Sequence, residues 1–428
     1  MRILVNGAGV CGPAFACFLL HSSLDCAITI VERSPELRTG GQQIDLRDQG
    51  IPVMSRLGLL EVVKQRTVPE TGLVFVNDKG QRLGVFGVND SGKGPQSFVS
   101  EYEIMRGDLV QVLYDESLKL AAAFKESGKR SLRYEYGKYA TDIQQDNDVA
   151  HVVFSDGSRG EYDLVVGADG QGSKTRRIMF GEEAGAKMFE SRDLFIGLWT
   201  QPKSESDKQH KEALVMPTLG RRLLTIRTGA ESGTQSLYAI MGKTQFLRDV
   251  QKNQSVEEQK RTWAALFQDC GWESKRMNEG LMAADDYYMS EIGQVKCSSW
   301  SKGRSVLLGD AGYCPGPITG LGTTCSLMGA YTLAGALAEN PGDFEAAFAR
   351  YEKDLRPFVN GAQTLPPGIP GILYPSTRFG IACLQWAVWT IALLKIDRFF
   401  AFFAPSAKKE YEVPEYPALN LPAVQTSA

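Results

Sequence analysis

The chain has 428 residues, is 43% hydrophobic and 23% charged, and carries a formal net charge of −3. That length predicts more than one domain, and scattered Lys and Arg at this balance exclude a nucleic-acid footprint. The eight cysteines form no C-x-x-C pair, and His21, His151 and His210 stand in no ligand or triad pattern, so neither a zinc site nor a His-based triad is expected.

The chain opens with MRILVNGAGVCGPAFACFLL. RILVNG reads as a buried strand, Cys11–Leu20 as a helix, and Ala27–Glu32 (AITIVE) as a second parallel strand. Gly7, Gly9 and Gly12 make G-x-G-x-x-G in the turn between strand and helix, where free N–H groups and the helix dipole favour a pyrophosphate. Glu32 closes the second strand twenty residues after Gly12, where a carboxylate can accept both hydroxyls of an adenosine ribose. Strand, glycines, helix, strand and acid in this order predict a dinucleotide site. With the first strand starting at Arg2, no secretory signal is expected, and the cysteine usage predicts a reduced, cytoplasmic protein.

Beyond residue 70 the texture turns to strands. GLVFVND and QRLGVFG read as a hairpin about Asp78-Lys79-Gly80. A helix is expected from Arg106 to about Phe124, and strands return in HVVFSDGS and YDLVVGADG. DLFIGLWT, RRLLTIRTG and QSLYAIMGK continue the strand pattern, and helices are expected near 255–282. SVLLGDAG reads as a strand leading to a long helix from about Gly320 to Leu337. The predicted fold class is α/β: a Rossmann-like nucleotide-binding domain (1–70, 98–184 and 286–360), an inserted β-rich domain for substrate (71–97 and 185–285), and a C-terminal helix and tail (361–428).

Two further motifs lie at strand ends. DLVVGADGQGSKTRR delivers Asp169 to a turn of small residues, with Arg176 as a cation beyond it. GRSVLLGDAGYCPGPITGLGTTCSLMGA brings Gly309-Asp310 to a loop stiffened by Pro315 and Pro317, and Gly320-Leu321-Gly322 opens the long helix, with N–H groups able to face an acceptor that gains electron density.

With these three motifs in order, residues 1–360 resemble the FAD-dependent aromatic hydroxylases, single-component flavoprotein monooxygenases of the para-hydroxybenzoate hydroxylase fold. The resemblance implies FAD, with NADPH or less readily NADH as transient reductant, and transfer of one oxygen atom from O2, through a flavin C4a-hydroperoxide, to an electron-rich small molecule. It implies Gly7, Gly9 and Gly12 at the FAD pyrophosphate, Glu32 at the ribose and Arg33 beside the adenine. It further implies Arg106 at the phosphate or ribityl region, Asp169 near FAD and NAD(P)H, and Asp310 at the ribityl–pyrophosphate part. The Pro317 loop with Gly320, Leu321 and Gly322 would meet the pyrimidine edge of the flavin. ELRTGGQQIDLR is similar to the tetracycline-inactivating branch, which implies Arg38 as an NADPH contact, Asp45 as an FAD contact, Arg47 as a weaker one, and a multi-ring or polyketide-like substrate. Four positions depart from the family pattern: Gly312 and Tyr313 stand where an Ala and a His are usual, Thr324 where an Asn is, and Gly329 where an Asp is.

No catalytic side chain is singled out. Phe195, Trp199 and Arg227 lie on strands where core positions are the simpler reading. A flavin-dependent oxidase or reductase of the same fold, or a non-catalytic flavin-binding protein, remains as an alternative. The 16-residue apolar run Phe379–Leu394 is shorter than the roughly 20 residues that span a bilayer. A helix packed on the protein is favoured over association with a membrane surface. The tail beyond Lys408 reads as loose.

Overall fold

The computed structural model describes residues 1–87, 102–123, 131–231, 233–394 and 411–422. The first strand, Arg2–Asn6, is buried at four of its five residues and lies between Ala27–Glu32 and Leu164–Gly167, parallel to both. Apolar side chains on both faces suit a strand covered on both sides. Ser305–Leu307 extends the sheet beyond Leu164–Gly167, and Ser131–Tyr136 extends it beyond Ala27–Glu32. The short Ser301–Lys302 completes six strands and is antiparallel to its neighbour. Helices Cys11–His21, Arg106–Ala123 and Gly322–Glu339 pack together on one face and supply much of the main core.

A seven-stranded sheet forms the second body, in the order Tyr288–Val295, Phe189–Gln201, Thr234–Met241, Arg222–Arg227, Glu212–Thr218, Gly72–Val76, Arg82–Gly87. The hairpin expected about Lys79 is present, Asn77 and Gln81 pairing across its turn. Residues 88–97 of that expected segment, and Phe124 of the expected helix, lie outside the described residues. One expectation needs correction. Tyr288–Val295 pairs with Phe189–Gln201 along nearly its whole length, so the sheet reaches past the expected boundary at 285/286.

The two faces of this sheet are covered differently. Helices Thr244–Asn253, Val256–Phe267 and Ser274–Ala283 cover one face, burying Phe195, Trp199 and Tyr238 against Trp263 and Phe267. A capping box at Ser255/Glu258 starts the middle helix. The other face carries Phe75, Phe86, Val215, Leu223 and Ala239, and meets Ile318 and the helix Arg378–Leu393. Gly84 lets this last helix settle: a Cβ there would lie 2.8 Å from Val388 Cγ1.

The C-terminal helix is thus packed on the protein, yet Phe379, Trp386, Trp389, Leu393 and Leu394 stay at least half exposed. Among the described residues no helix is long and apolar enough to cross a membrane. The tail is a correction. Residues 411–422 are fastened to the first body, with Tyr416 and Leu419 buried. Gly335 leaves the notch that the Tyr416 ring fills, Tyr331 donates to the Pro414 carbonyl, and Arg56 pairs with Glu415. Proline and alanine content disguised a segment whose tyrosines anchor it.

Candidate active site

The sequence motifs meet at the carboxyl ends of neighbouring parallel strands, where ligands bind in open α/β sheets. Gly7 follows Arg2–Asn6, Ala168-Asp169 follows Leu164–Gly167, Leu308–Asp310 follows Ser305–Leu307, and Glu32 ends its own strand. The loops interlock through backbone. Gly7 has φ +116° and packs on the Ala168 carbonyl, so a side chain is barred by both conformation and space. A Cβ on Gly12 would overlap the Gly7 carbonyl, and one on Gly309 would overlap Cys11 Sγ. That thiol is pushed up to about 12 by burial, so it is a packing group rather than a nucleophile.

Gly9 is different. The nearest atom to a Cβ there is the Arg106 guanidinium nitrogen at 3.3 Å. Arg106 begins the helix Arg106–Ala123, and its aliphatic stem runs along Gly41. No hydrogen bond from its guanidinium is made among the described residues. Burial lowers its pKa and the nearby positive charge of Arg38 lowers it further, against Tyr288, Glu32 and Asp310. Two cations this close, one of them buried, favour an anion between or beside them. Arg38 is itself exposed, and so is Arg33.

Glu32 accepts from the Ala8 N–H (3.0 Å) and the Ser34 N–H (3.0 Å), which aims its carboxylate at the glycine turn. Asp310 opens a short helical turn. Its Oδ1 is buried without a hydrogen-bond partner, and burial raises its pKa. An unpartnered buried acceptor costs free energy unless a ligand donor meets it. The helices Cys11–His21 and Gly322–Glu339 begin with neither a side-chain cap nor an acid in the first turn, leaving N–H groups for an acceptor. The second of them starts at Gly322 rather than Gly320. Pro317–Thr319 forms a 3-10 turn, Gly320 is left-handed at φ +66°, and Leu321 precedes the first helical residue.

Two expected residues are turned inward. Asp169 accepts from Ser173 Oγ (2.5 Å) and from Thr175 N and Oγ1 (2.9 and 3.1 Å), which fastens its own turn. Arg176, expected as a cation for a ligand, is buried and donates to the carbonyls of Gly185, Ala311 and Gln171. It bolts the second motif to the third.

Gln43–Leu46 pairs with Tyr102–Met105 in a two-stranded ribbon. The ribbon brings Asp45 and Arg47, 3.0 Å apart, to within 4 Å of where a Cβ on Gly320 would lie. Thr324 Oγ1 holds this connection by donating to the Arg47 carbonyl at 2.8 Å. Two more of the departures from the family pattern, Tyr313 and Gly329, form one feature. Tyr313 is buried with its hydroxyl 2.7 Å from that of Tyr351, and a Cβ on Gly329 would overlap the Tyr313 hydroxyl. The tyrosine needs the glycine.

Sequence reasoning missed a buried ionic cluster behind the ribbon. Arg227 pairs with Glu70 (2.9 and 2.7 Å) and Glu103 (2.6 Å), and Gln43 Nε2 also donates to Glu103. The side chains of Glu70 and Glu103 are 1% and 2% exposed. Burial pushes Glu103 up to about 9 against the pull of Arg227, with Glu70 and Asp45 adding to the rise. The signal available in sequence was Arg227 itself, a charge among apolar strand residues.

Known proteins resemble this chain in sequence and in fold. The model of the FAD binding domain family matches residues 1–363. The FAD-dependent monooxygenase asL6 of Sarocladium schorii is 41% identical over 425 residues, 99% of this chain and 100% of that protein. The crystal structure of the tetracycline destructase Tet(51) superposes with a TM-score of 0.73 at 25% identity, over 97% of this chain and 98% of that one. Klebsiella pneumoniae HpxO, solved with FAD and uric acid, shares the fold at a TM-score of 0.66 and 17% identity, over 94% of this chain and 96% of that one. The chain therefore belongs to the FAD-binding-domain family and is an FAD-dependent monooxygenase.

Proposed function

We propose that the chain holds FAD along the converging loops, takes electrons from NADPH, and adds one oxygen atom of O2 to an apolar, multi-ring, polyketide-like molecule of secondary metabolism. The observation that carries this reading is a polar cradle at the carboxyl ends of the parallel strands, with an apolar sheet face beside it. The cradle consists of uncapped helix starts, the orphan Asp310 Oδ1 and the Arg106 guanidinium. The apolar face bears Phe75, Phe86 and Leu223, packed on the helix Arg378–Leu393, and meets Ile318 beside the Gly320 turn. When bound, FAD supplies the two-electron and oxygen chemistry that no side chain here can supply.

The chain's own residues bind and orient. The N–H groups about Gly9 and the Arg106 guanidinium receive the pyrophosphate, and Arg38 extends this positive field toward NADPH. Glu32 retains lone pairs for the ribose hydroxyls, with Arg33 at the open adenine end. Asp310 accepts from a ribityl hydroxyl, which relieves its orphan oxygen. The N–H groups opening the helix at Gly322, set in direction by Pro317, Gly320 and Leu321, would receive the electron-rich edge of the flavin. Asp45 lies on the same edge, while Asp169 shapes its turn from behind. The apolar sheet face excludes water, which protects oxygen transfer from wasteful release of peroxide.

The name of the destructase supports a multi-ring substrate, and the fungal relative supports secondary metabolism. The test is rapid mixing of anaerobically reduced, FAD-loaded protein with oxygen in the presence of polycyclic phenols, followed by mass analysis. A product heavier by one oxygen is expected. Return of the flavin to its oxidised form with stoichiometric peroxide and unaltered substrates would overturn polycyclic phenols as the substrate class.

A further inference from the structure

The Glu70–Glu103–Arg227 cluster sits directly behind Asp45. Asp45 and Glu103 are directly opposed cross-strand partners in the two-stranded ribbon, so their side chains project from the same face as neighbours. Two carboxylates cannot bond without a proton between them. Asp45 Oδ1 is buried with no donor, although Oδ2 has Arg47. On Glu103, Oε2 is taken by Arg227 and Gln43. A proton on the remaining oxygen of Glu103 would give Asp45 the donor it lacks.

Charge counting points the same way. The charged groups acting on Glu103 are Arg227 from the large sheet, Glu70 from the connection before that sheet's strand Gly72–Val76, and Asp45 from the ribbon. Among the described residues, the carboxyl groups of Glu70 and Glu103 share the one guanidinium of Arg227. A proton on Glu103 relieves the excess negative charge, which would be costly to bury.

We infer that Glu103 and Asp45 share one proton across the ribbon, which makes Glu103 a positioning residue for Asp45 and a proton store beside the Gly320 edge of the site. The inference rests on the proposed seating of the flavin at that edge only for its second half. The proton stays on the pair when negative charge gathers at the flavin edge, and leaves more readily when that charge is withdrawn. No bond other than O–H is made or broken. The rise of Glu103 to about 9 places the loss of this proton on the alkaline side of neutrality.

The experiment is infrared spectroscopy of the FAD-loaded protein across neutral and alkaline pH, with wild type, Glu103→Gln and Asp45→Asn. The glutamine keeps the shape and a donor for Asp45, so folding should survive, and the bound-flavin absorbance confirms it. The expected result is a carboxylic-acid carbonyl band at neutral pH that shifts in deuterium oxide, fades toward alkaline pH, vanishes in Glu103→Gln and moves in Asp45→Asn. Absence of the band in wild type, or its persistence in Glu103→Gln, overturns the shared proton. The second arm follows the midpoint potential of bound FAD against pH. Wild type should show an alkaline break that Glu103→Gln lacks, a difference that a purely structural role would not produce. Equal slopes in the two proteins would overturn the coupling to the flavin. A protein that fails to retain FAD defeats the seating, while the band still decides the shared proton in the apoprotein.

Discussion

At the carboxyl ends of the parallel sheet, backbone meets backbone. Gly7 rests on Ala168, Gly12 on Gly7, and Arg176 ties three carbonyls together. On the face of the seven-stranded sheet that bears Phe75 and Leu223, ordinary apolar side chains meet each other and the helix Arg378–Leu393. The first region has almost no freedom to change, because each contact depends on an absent Cβ or a spent hydrogen bond. The second can exchange one apolar residue for another of similar volume at small cost.

The largest effect that would break this contrast is expected at Gly12. Gly12→Val should leave little folded, FAD-retaining protein, measured by the flavin absorbance that survives gel filtration, because the Gly7 carbonyl cannot move without shifting a buried strand. Gly9→Ala should instead fold, since only the end of Arg106 must yield, and lose flavin affinity. Equal behaviour of the two variants would mean that both glycines serve packing alone.

Next is Arg227→Met, which strands Glu70 and Glu103 without their cation. Loss of one partner of a buried pair costs about 3–5 kcal/mol, read as a lower denaturation midpoint. Gly329→Asp should destabilise by about 1–3 kcal/mol through overpacking against Tyr313. The double change with Tyr313→His should recover most of that loss in a double-mutant cycle.

The pH dependence sharpens the account of the ionic cluster. Glu103 lies at about 9 in the folded chain and near the ordinary value of about 4.3 when unfolded. Between these values the folded state binds a proton that the unfolded state does not, so this group's stabilising contribution is full at acid pH and declines as pH rises toward 9. The slope is at most about 1.4 kcal/mol per pH unit, and denaturant titrations at several pH values should find it flattened in Glu103→Gln. The smallest effect is expected at Trp386, which is 67% exposed. Trp386→Ser should leave stability within about 0.5 kcal/mol of wild type.

Much of the strand-end loop geometry was legible in the sequence because its requirements are local. A strand, a turn that needs a glycine, and a helix lie within a dozen residues, so Gly7 through Gly12 announce themselves. The same logic exposed Asp310 and the Gly320 turn. What escaped depends on partners distant in the chain. Arg176 looked like a ligand cation because the carbonyl of Ala311, which occupies it, is 135 residues away. Glu103 and Glu70 meet Arg227 only after the large sheet has folded. Tyr288–Val295 alternates too weakly to be read as a strand, and pairing with Phe189–Gln201 makes it one. Tyr313 and Gly329 looked like two departures from a pattern until one proved to be the space for the other.

The outward face of the helix Arg378–Leu393 has a practical side. From Phe379 to Leu394 the sequence holds no charged residue, and two half-exposed or more exposed tryptophans stand on the surface. Such a face is where molecules of a concentrated preparation adhere. Handling of the protein, from choice of detergent and salt to the end that carries a purification tag, will be governed there rather than by its catalytic half.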